Sequence, residues 1–134
     1  MTTLIDTSAL YALMDASDPQ HETATAWFDG PGAAEKLITH NYVVVETAAL
    51  VQRRLGREAS RVLFDALLPR IEVVFVHEAL HNVAARLWLS LGRRQSSLVD
   101  HVSFELIKHE RIAQAFAFDD DFASQHIATV PSAR

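Results

Sequence analysis

The sequence predicts an α/β fold in three α/β/α layers: a central, mainly parallel sheet of four to five strands with helices on both faces. Two observations predict it. Short apolar, often β-branched segments alternate along the chain with amphipathic stretches of helical period, and such alternation favours parallel strands covered on both sides. In addition, four carboxylates, Asp6, Glu46, Asp100 and Asp119, each sit where an otherwise apolar stretch approaches or begins a helix. The crevice beyond the carboxyl ends of parallel strands is where such residues can converge.

The elements follow in order. Residues 2 to 6 read as a first strand ending at Asp6, with Thr7 or Ser8 capping a helix to about Met14. A second helix is expected around residues 20 to 28, closed by the turn signal Asp29-Gly30-Pro31-Gly32. Leu37-Ile38-Thr39 is a short second strand, and Asn41 can cap a helix running to Leu55 with Glu46 in its second turn. After Gly56 an amphipathic helix is expected from Glu58 to Leu68, then a third strand from Ile71 to Val76. A helix from about Glu78 to Leu91 should stop at Gly92. Ser97-Leu98-Val99-Asp100 has capping-box spacing and opens a helix to about Glu110. Ala115 to Phe118 reads as a buried strand and Ile127 to Val130 as a last edge strand.

Nothing in the 134 residues resembles a linker, a repeat or a low-complexity tract, so one domain spanning 1–134 is expected. With no cysteine, disulfides, thiolate metal sites and thiol nucleophiles are excluded together. The chain does not open with a basic segment followed by a long apolar run, and no apolar run is long enough to span a bilayer. No signal peptide and no membrane contact are therefore expected, and a cytoplasmic location is the default. The net charge of −5 argues at first against a nucleic-acid partner. If the four acids belong to one site, however, the remaining surface is nearly balanced and local arginine clusters decide whether a polyanion can approach.

A buried carboxylate either neutralises or takes a cation, and several together repel one another unless hard divalent ions bind them. Oxygen-only donors point to Mg2+, with Mn2+ a possible substitute. Each acid also has a local structural explanation: Asp100 as the capping-box acid, Asp119 as the N-cap of a short helix. Glu46 is harder to explain that way, because it interrupts the mostly apolar run Tyr42 to Val51. Asp121 can turn back toward the site by helical spacing, whereas Asp120 should face away. A competing pattern is His77-Glu78-Ala79-Leu80-His81, which satisfies the H-E-x-x-H of zinc peptidases. It starts directly after a strand and has no obvious third ligand, so the expectation is a capping role for His77 and a packing role for His81. Arg53, Arg54, Arg57 and Arg61 read as a solvated face, and Trp27 and Trp88 as core or interface residues.

Four segments resemble one family. Leu4-Ile5-Asp6-Thr7-Ser8-Ala9-Leu10, Asn41-Tyr42-Val43-Val44-Val45-Glu46-Thr47, Ser97-Leu98-Val99-Asp100-His101-Val102-Ser103-Phe104 and Ala115-Phe116-Ala117-Phe118-Asp119-Asp120-Asp121-Phe122 resemble, in order and spacing, the PIN-domain nucleases, specifically the VapC-like toxins of bacterial toxin-antitoxin pairs. The resemblance implies a PIN-like fold and a Mg2+-dependent endoribonuclease that hydrolyses RNA with a metal-activated water. It implies Asp6, Glu46, Asp100 and Asp119 as the acidic metal site, Asp121 as a further ligand, and Ser8 and Ser97 as hydroxyls that orient it. Phe118 stands where a threonine is common in the family. Arg93 and Arg94, in the loop leading to Asp100, become candidates for RNA phosphate contacts. A cognate antitoxin is the implied partner, and a homodimer is expected, with Val51, Leu55 and Leu63 as candidates for its apolar contacts. The alternatives are a zinc metallopeptidase using His77, Glu78 and His81, and a PIN-like binding module without catalysis.

Overall fold

In the computed structural model, which describes residues 1–91 and 96–132, five strands form one sheet. They are β1 (Thr2–Ile5), β2 (Lys36–His40), β3 (Glu72–Val74), β4 (Gln114–Phe116) and β5 (Thr129–Val130). Their order is β3-β2-β1-β4-β5, and every neighbouring pair runs parallel. Seven helices connect them among the described residues: α1 (Thr7–Met14), α2 (His21–Asp29), α3 (Asn41–Leu55), α4 (Arg57–Val62), α5 (Glu78–Leu91), α6 (Leu98–Glu110) and α7 (Asp121–Ser124). Gly92, Arg93 and Arg94, named above as a helix stop and as candidate phosphate contacts, lie outside the described residues. No described helix is long and apolar enough to cross a membrane.

The alternation of side chains along β1 explains the three layers. Ile5 faces one core together with Leu37 of β2, Phe116 of β4 and residues of α1, α2 and α3. Leu4 faces the other, with Ile38, Ala115 and residues of α5 and α6. Leu4, Ile5 and Phe116 are wholly inaccessible to solvent, as expected at the centre of a sheet covered on both faces. From β1 the chain winds outward to β2 on one side and β4 on the other, so the topological switch point lies between the carboxyl ends of β1 and β4. The Asp6 amide extends the β1–β4 ladder by donating to the Phe116 carbonyl at 3.0 Å.

Several element ends differ from the sequence expectation, each for a local reason. The cap of α1 is Asp6, not Thr7 or Ser8: Asp6 is still extended at φ −90° and ψ 162°, and its carboxylate accepts from the Ser8 amide. The cap of α3 is His40, not Asn41. The His40 ring is fully buried; its Nδ1 accepts from the Val43 amide at 3.4 Å, which leaves Nε2 to donate to Ser103 Oγ at 2.8 Å. Asn41 instead accepts the Val76 amide at 2.7 Å through its side-chain oxygen. β3 ends at Val74, level with His40 where β2 itself ends and α3 begins, and Phe75 is 75% exposed. The helix expected over 58–68 breaks up: α4 ends at Val62, a π turn covers Leu63–Leu67, and a 3₁₀ turn containing Pro69 covers Leu68–Arg70. The wider turn keeps Leu63, Leu67 and Leu68 all buried while the chain bends into β3. Val51 and Leu63 are fully buried and Leu55 packs against the same core, so these three candidates for dimer contacts are committed to the fold itself.

Candidate active site

Three carboxylates reach the switch point from three elements. Asp6 follows β1; its Oδ2 accepts from Ser8 Oγ at 2.8 Å and from the Ser8 amide at 3.2 Å. Ser8 Oγ in turn accepts the Phe118 amide at 3.0 Å, so one hydroxyl ties the exit of β1 to the exit of β4. The contact at position 118 is thus made by a backbone amide, which the phenylalanine side chain does not disturb. Asp100 is the third residue of α6 and closes a capping box: the Ser97 amide donates to Asp100 Oδ2 at 2.9 Å, and the Asp100 amide to Ser97 Oγ at 3.1 Å. The capping role therefore coexists with a place in the cluster. Asp119 follows β4 and accepts the Asp121 amide at 3.2 Å. One oxygen from each of Asp6, Asp100 and Asp119 lies within 4.8 Å of the others.

Burial sets their electrostatics. Asp6 is 2% exposed, and desolvation, then the neighbouring Asp119 charge, raise its pKa well above the ordinary carboxylate value against the stabilising Ser8 bonds. Asp100 is pushed up to about 6, again first by burial. The Asp119 pKa is raised by burial, while its hydrogen bond with Asp6 pulls the other way. Carboxyl groups this close and this dry cannot all be charged alone; they share protons or bind a cation. The donor set fits a divalent ion: all oxygens, on three separate elements, with the buried Thr7 hydroxyl on the same wall lacking any partner among the described residues.

The acids open onto a cleft of about 630 Å³. Glu46 lines it but is exposed and stands outside the tight cluster. The apolar run around Glu46 does not bury it, because the buried stripe of α3 is Val43, Thr47 and Val51, and Val45 is 66% exposed. Asp121 is half-buried on the cleft wall, also outside the cluster, and Asp120 is exposed and does not line it. Ser8 and Ser97 both line the cleft. Arg53, exposed as the sequence suggests, lines it too. Its position seven residues after Glu46 is the spacing that places both on one helix face, a signal present in the chain.

The H-E-x-x-H histidines are occupied otherwise. His77 Nδ1 accepts the Leu80 amide at 3.3 Å, capping α5, and His81 Nδ1 shares a 2.6 Å hydrogen bond with the Tyr42 hydroxyl. No third ligand joins them among the described residues. Trp27 packs on Phe116 with ring centres 4.5 Å apart, and Trp88, 37% exposed, donates to the Ser96 carbonyl.

A family model described as PIN domain matches residues 3–126. The chain belongs to the PIN-domain family. Among curated PIN-domain relatives it is 34% identical over 124 residues to the 23S rRNA-specific endonuclease VapC20 of Mycobacterium tuberculosis, covering 90% of this chain and 91% of that one. The crystal structure of Mycobacterium tuberculosis VapC20, described as a sarcin-ricin loop cleaving toxin, superposes with a TM-score of 0.84 at 28% identity, covering 96% of this chain and 97% of that chain. FitAcB from Neisseria gonorrhoeae superposes with a TM-score of 0.69 at 16% identity, covering 96% of each chain, which bears on the PIN fold alone.

Proposed function

We propose that this PIN-domain protein is a Mg2+-dependent endoribonuclease acting as the toxin of a toxin-antitoxin pair. The carrying observation is the triad of buried Asp6 and Asp100 with half-buried Asp119, with oxygens within 4.8 Å of one another, at the floor of an open cleft. The similarity to VapC20 over most of both chains supports the same reading and makes structured ribosomal RNA the first substrate to test.

Asp6, Asp100 and Asp119 would hold the ion, with Glu46 and Asp121 on the cleft walls completing the acidic lining. Bound there, a divalent ion supplies the Lewis-acid charge that acidifies a water and neutralises the charge developing on the phosphate. Ser8 fixes the Asp6 carboxylate, and the Ser97 amide fixes Asp100 Oδ2, so little side-chain freedom is lost when the ion and the substrate bind. Glu46, exposed on the cleft lining, would be the carboxylate to accept a proton from a water approaching from solvent. No side-chain nucleophile is required.

Purified protein should cleave structured RNA with Mg2+ or Mn2+ and stop on chelation, and adding the cognate antitoxin should suppress cleavage. An antitoxin can do so by placing an arginine or lysine among the acids, where a guanidinium binds carboxylates through paired hydrogen bonds. Cleavage that persists in excess chelator, or that requires zinc and is lost in His81→Ala, would refute the reading.

A homodimer also fits, on a face other than the one the sequence suggested. The exposed apolar residues Val83, Trp88 and Leu89 lie on α5 together with Leu91, at 43%, 37%, 78% and 73% exposure. Leu89, on the side of α5 away from the buried Leu80 and Ala84, is the apolar side chain best placed to meet a second copy. Sedimentation at micromolar concentration should give twice the 14.9 kDa chain mass, and Leu89→Ser should return it to monomer. A wild-type monomer at that concentration counts against the dimer.

A further inference from the structure

Five carboxylates line the cleft, and a polyanion entering it meets their repulsion before any ion-mediated attraction. Arg53 is the cation among the residues that line it. Neither Arg53 nor Arg57 forms an ion pair among the described residues, whereas Arg54 lies 5.4 Å over the Tyr11 ring. On the adjacent face of α3 a second groove of about 410 Å³ runs toward α4, lined by Arg57, Arg61 and the half-exposed Phe64. Ala48 and Gln52 face this groove, while their chain neighbours Ala49 and Arg53 face the cleft, so the two depressions flank one ridge kept low by two alanines. The Arg61–Glu58 pair is 3.8 Å apart with side chains 65% and 91% exposed, too solvated to hold the guanidinium against a phosphate.

We propose that this groove carries the single-stranded RNA flanking the scissile phosphate, which deepens the ribonuclease reading above and rests on it. Arg53 holds a phosphate where the strand leaves the acids. Arg57 and Arg61 hold phosphates beyond the ridge, and Phe64 offers a ring on which an unpaired base stacks. Charge favours this occupant: the groove lining holds two arginines and one carboxylate, Asp65, with Glu58 turned 91% to solvent beside Arg61, so a polyanion meets far less repulsion here than among the five carboxylates of the adjoining cleft.

The test compares the triple variant Arg53→Ala/Arg57→Ala/Arg61→Ala with Lys36→Ala, a control that starts β2 and so lies at the opposite end of the sheet from the acids. Binding of a fluorescent single-stranded RNA oligonucleotide is read by anisotropy across salt concentrations in an Asp100→Asn background, and cleavage in an otherwise wild-type background. Affinity should fall about tenfold or more in the triple variant, with the slope of log K against log salt reduced by about 2, and stay unchanged in the control. Phe64→Ala should weaken binding about fivefold or more without altering the slope. Circular dichroism in both backgrounds, and retained Mn2+ binding in the background with Asp100 intact, show that the variants are folded. Cleavage with KM and salt slope unchanged in the folded triple variant overturns the groove alone, as does loss of antitoxin binding without loss of RNA binding. Failure of the wild-type chain to cleave any RNA overturns the ribonuclease reading instead.

Discussion

Asp100→Asn is expected to lower RNA cleavage by about 100-fold or more while the protein stays folded, because an ion at this site is worth several kcal/mol to the transition state. Asparagine suits the test because of the capping box. Its side-chain oxygen can still accept the Ser97 amide, and its backbone amide still donates to Ser97 Oγ, so the first turn of α6 survives. What disappears is one negative charge from a triad packed within 4.8 Å. Asp6→Asn should act in the same way, since its oxygen can keep the Ser8 bonds. Single-turnover cleavage assays with saturating Mg2+ decide the point. Activity within a few-fold of wild type in both folded variants would remove the triad from the chemistry.

The same substitution should reveal what the acids cost the apo protein. The folded-state pKa of Asp100 is about 6, above the ordinary value of 3.8, so the native state holds its proton more tightly than the unfolded chain. The resulting destabilisation is absent below about pH 4, grows as pH rises through the window between the two values, and is complete above about pH 6. In chelator at pH 7, Asp100→Asn should therefore be more stable than wild type, by about 1–2 kcal/mol once screening from the open cleft is allowed for. The difference should vanish near pH 4. His40 acts oppositely in both proteins: burial lowers its pKa to about 4, so its contribution to stability is lost as pH falls from 6.5 toward 4, and it cancels in the comparison. Adding the divalent ion should reverse the order, since an ion at about 100 times its dissociation constant stabilises wild type by about 2.7 kcal/mol and the variant by less. Urea midpoints at pH 7, 5.5 and 4, with chelator and with Mn2+, test this. A variant less stable than wild type in chelator at pH 7 would show that the acids are not strained.

Much of the architecture was legible because it rests on local pattern. The apolar segments near residues 3, 38, 73 and 115 are strands, the capping box at Ser97 is present atom for atom, and the expected parallel sheet is observed. The residues that cap helices were harder to read. Asp6 and His40 each occupy the last extended position before a helix, ahead of the expected caps, and the neutral ring with which His40 caps α3 follows from its burial in the folded chain. The break of the 58–68 helix was hidden as well, because its cause is the need to bury Leu63, Leu67 and Leu68 together while the chain turns into β3.

The candidate site divides along the same line. That Asp6 ends a strand, that Asp100 is third in its helix and that Asp119 follows a strand are statements about neighbours in the chain, and periodicity and capping chemistry carry them. That three of the acids crowd within 4.8 Å while Glu46 stays exposed is a statement about distance in space. It depends on β4 crossing over to pair with β1 rather than with β3, and on the rotation of α3 that turns Val43, Thr47 and Val51 inward. The same rotation sets the exposed Arg53 on the wall of the acidic cleft. An amphipathic pattern states that a helix has an inner face; which outer residues then border a cleft depends on packing against elements dozens of residues away, where no short-range pattern reaches.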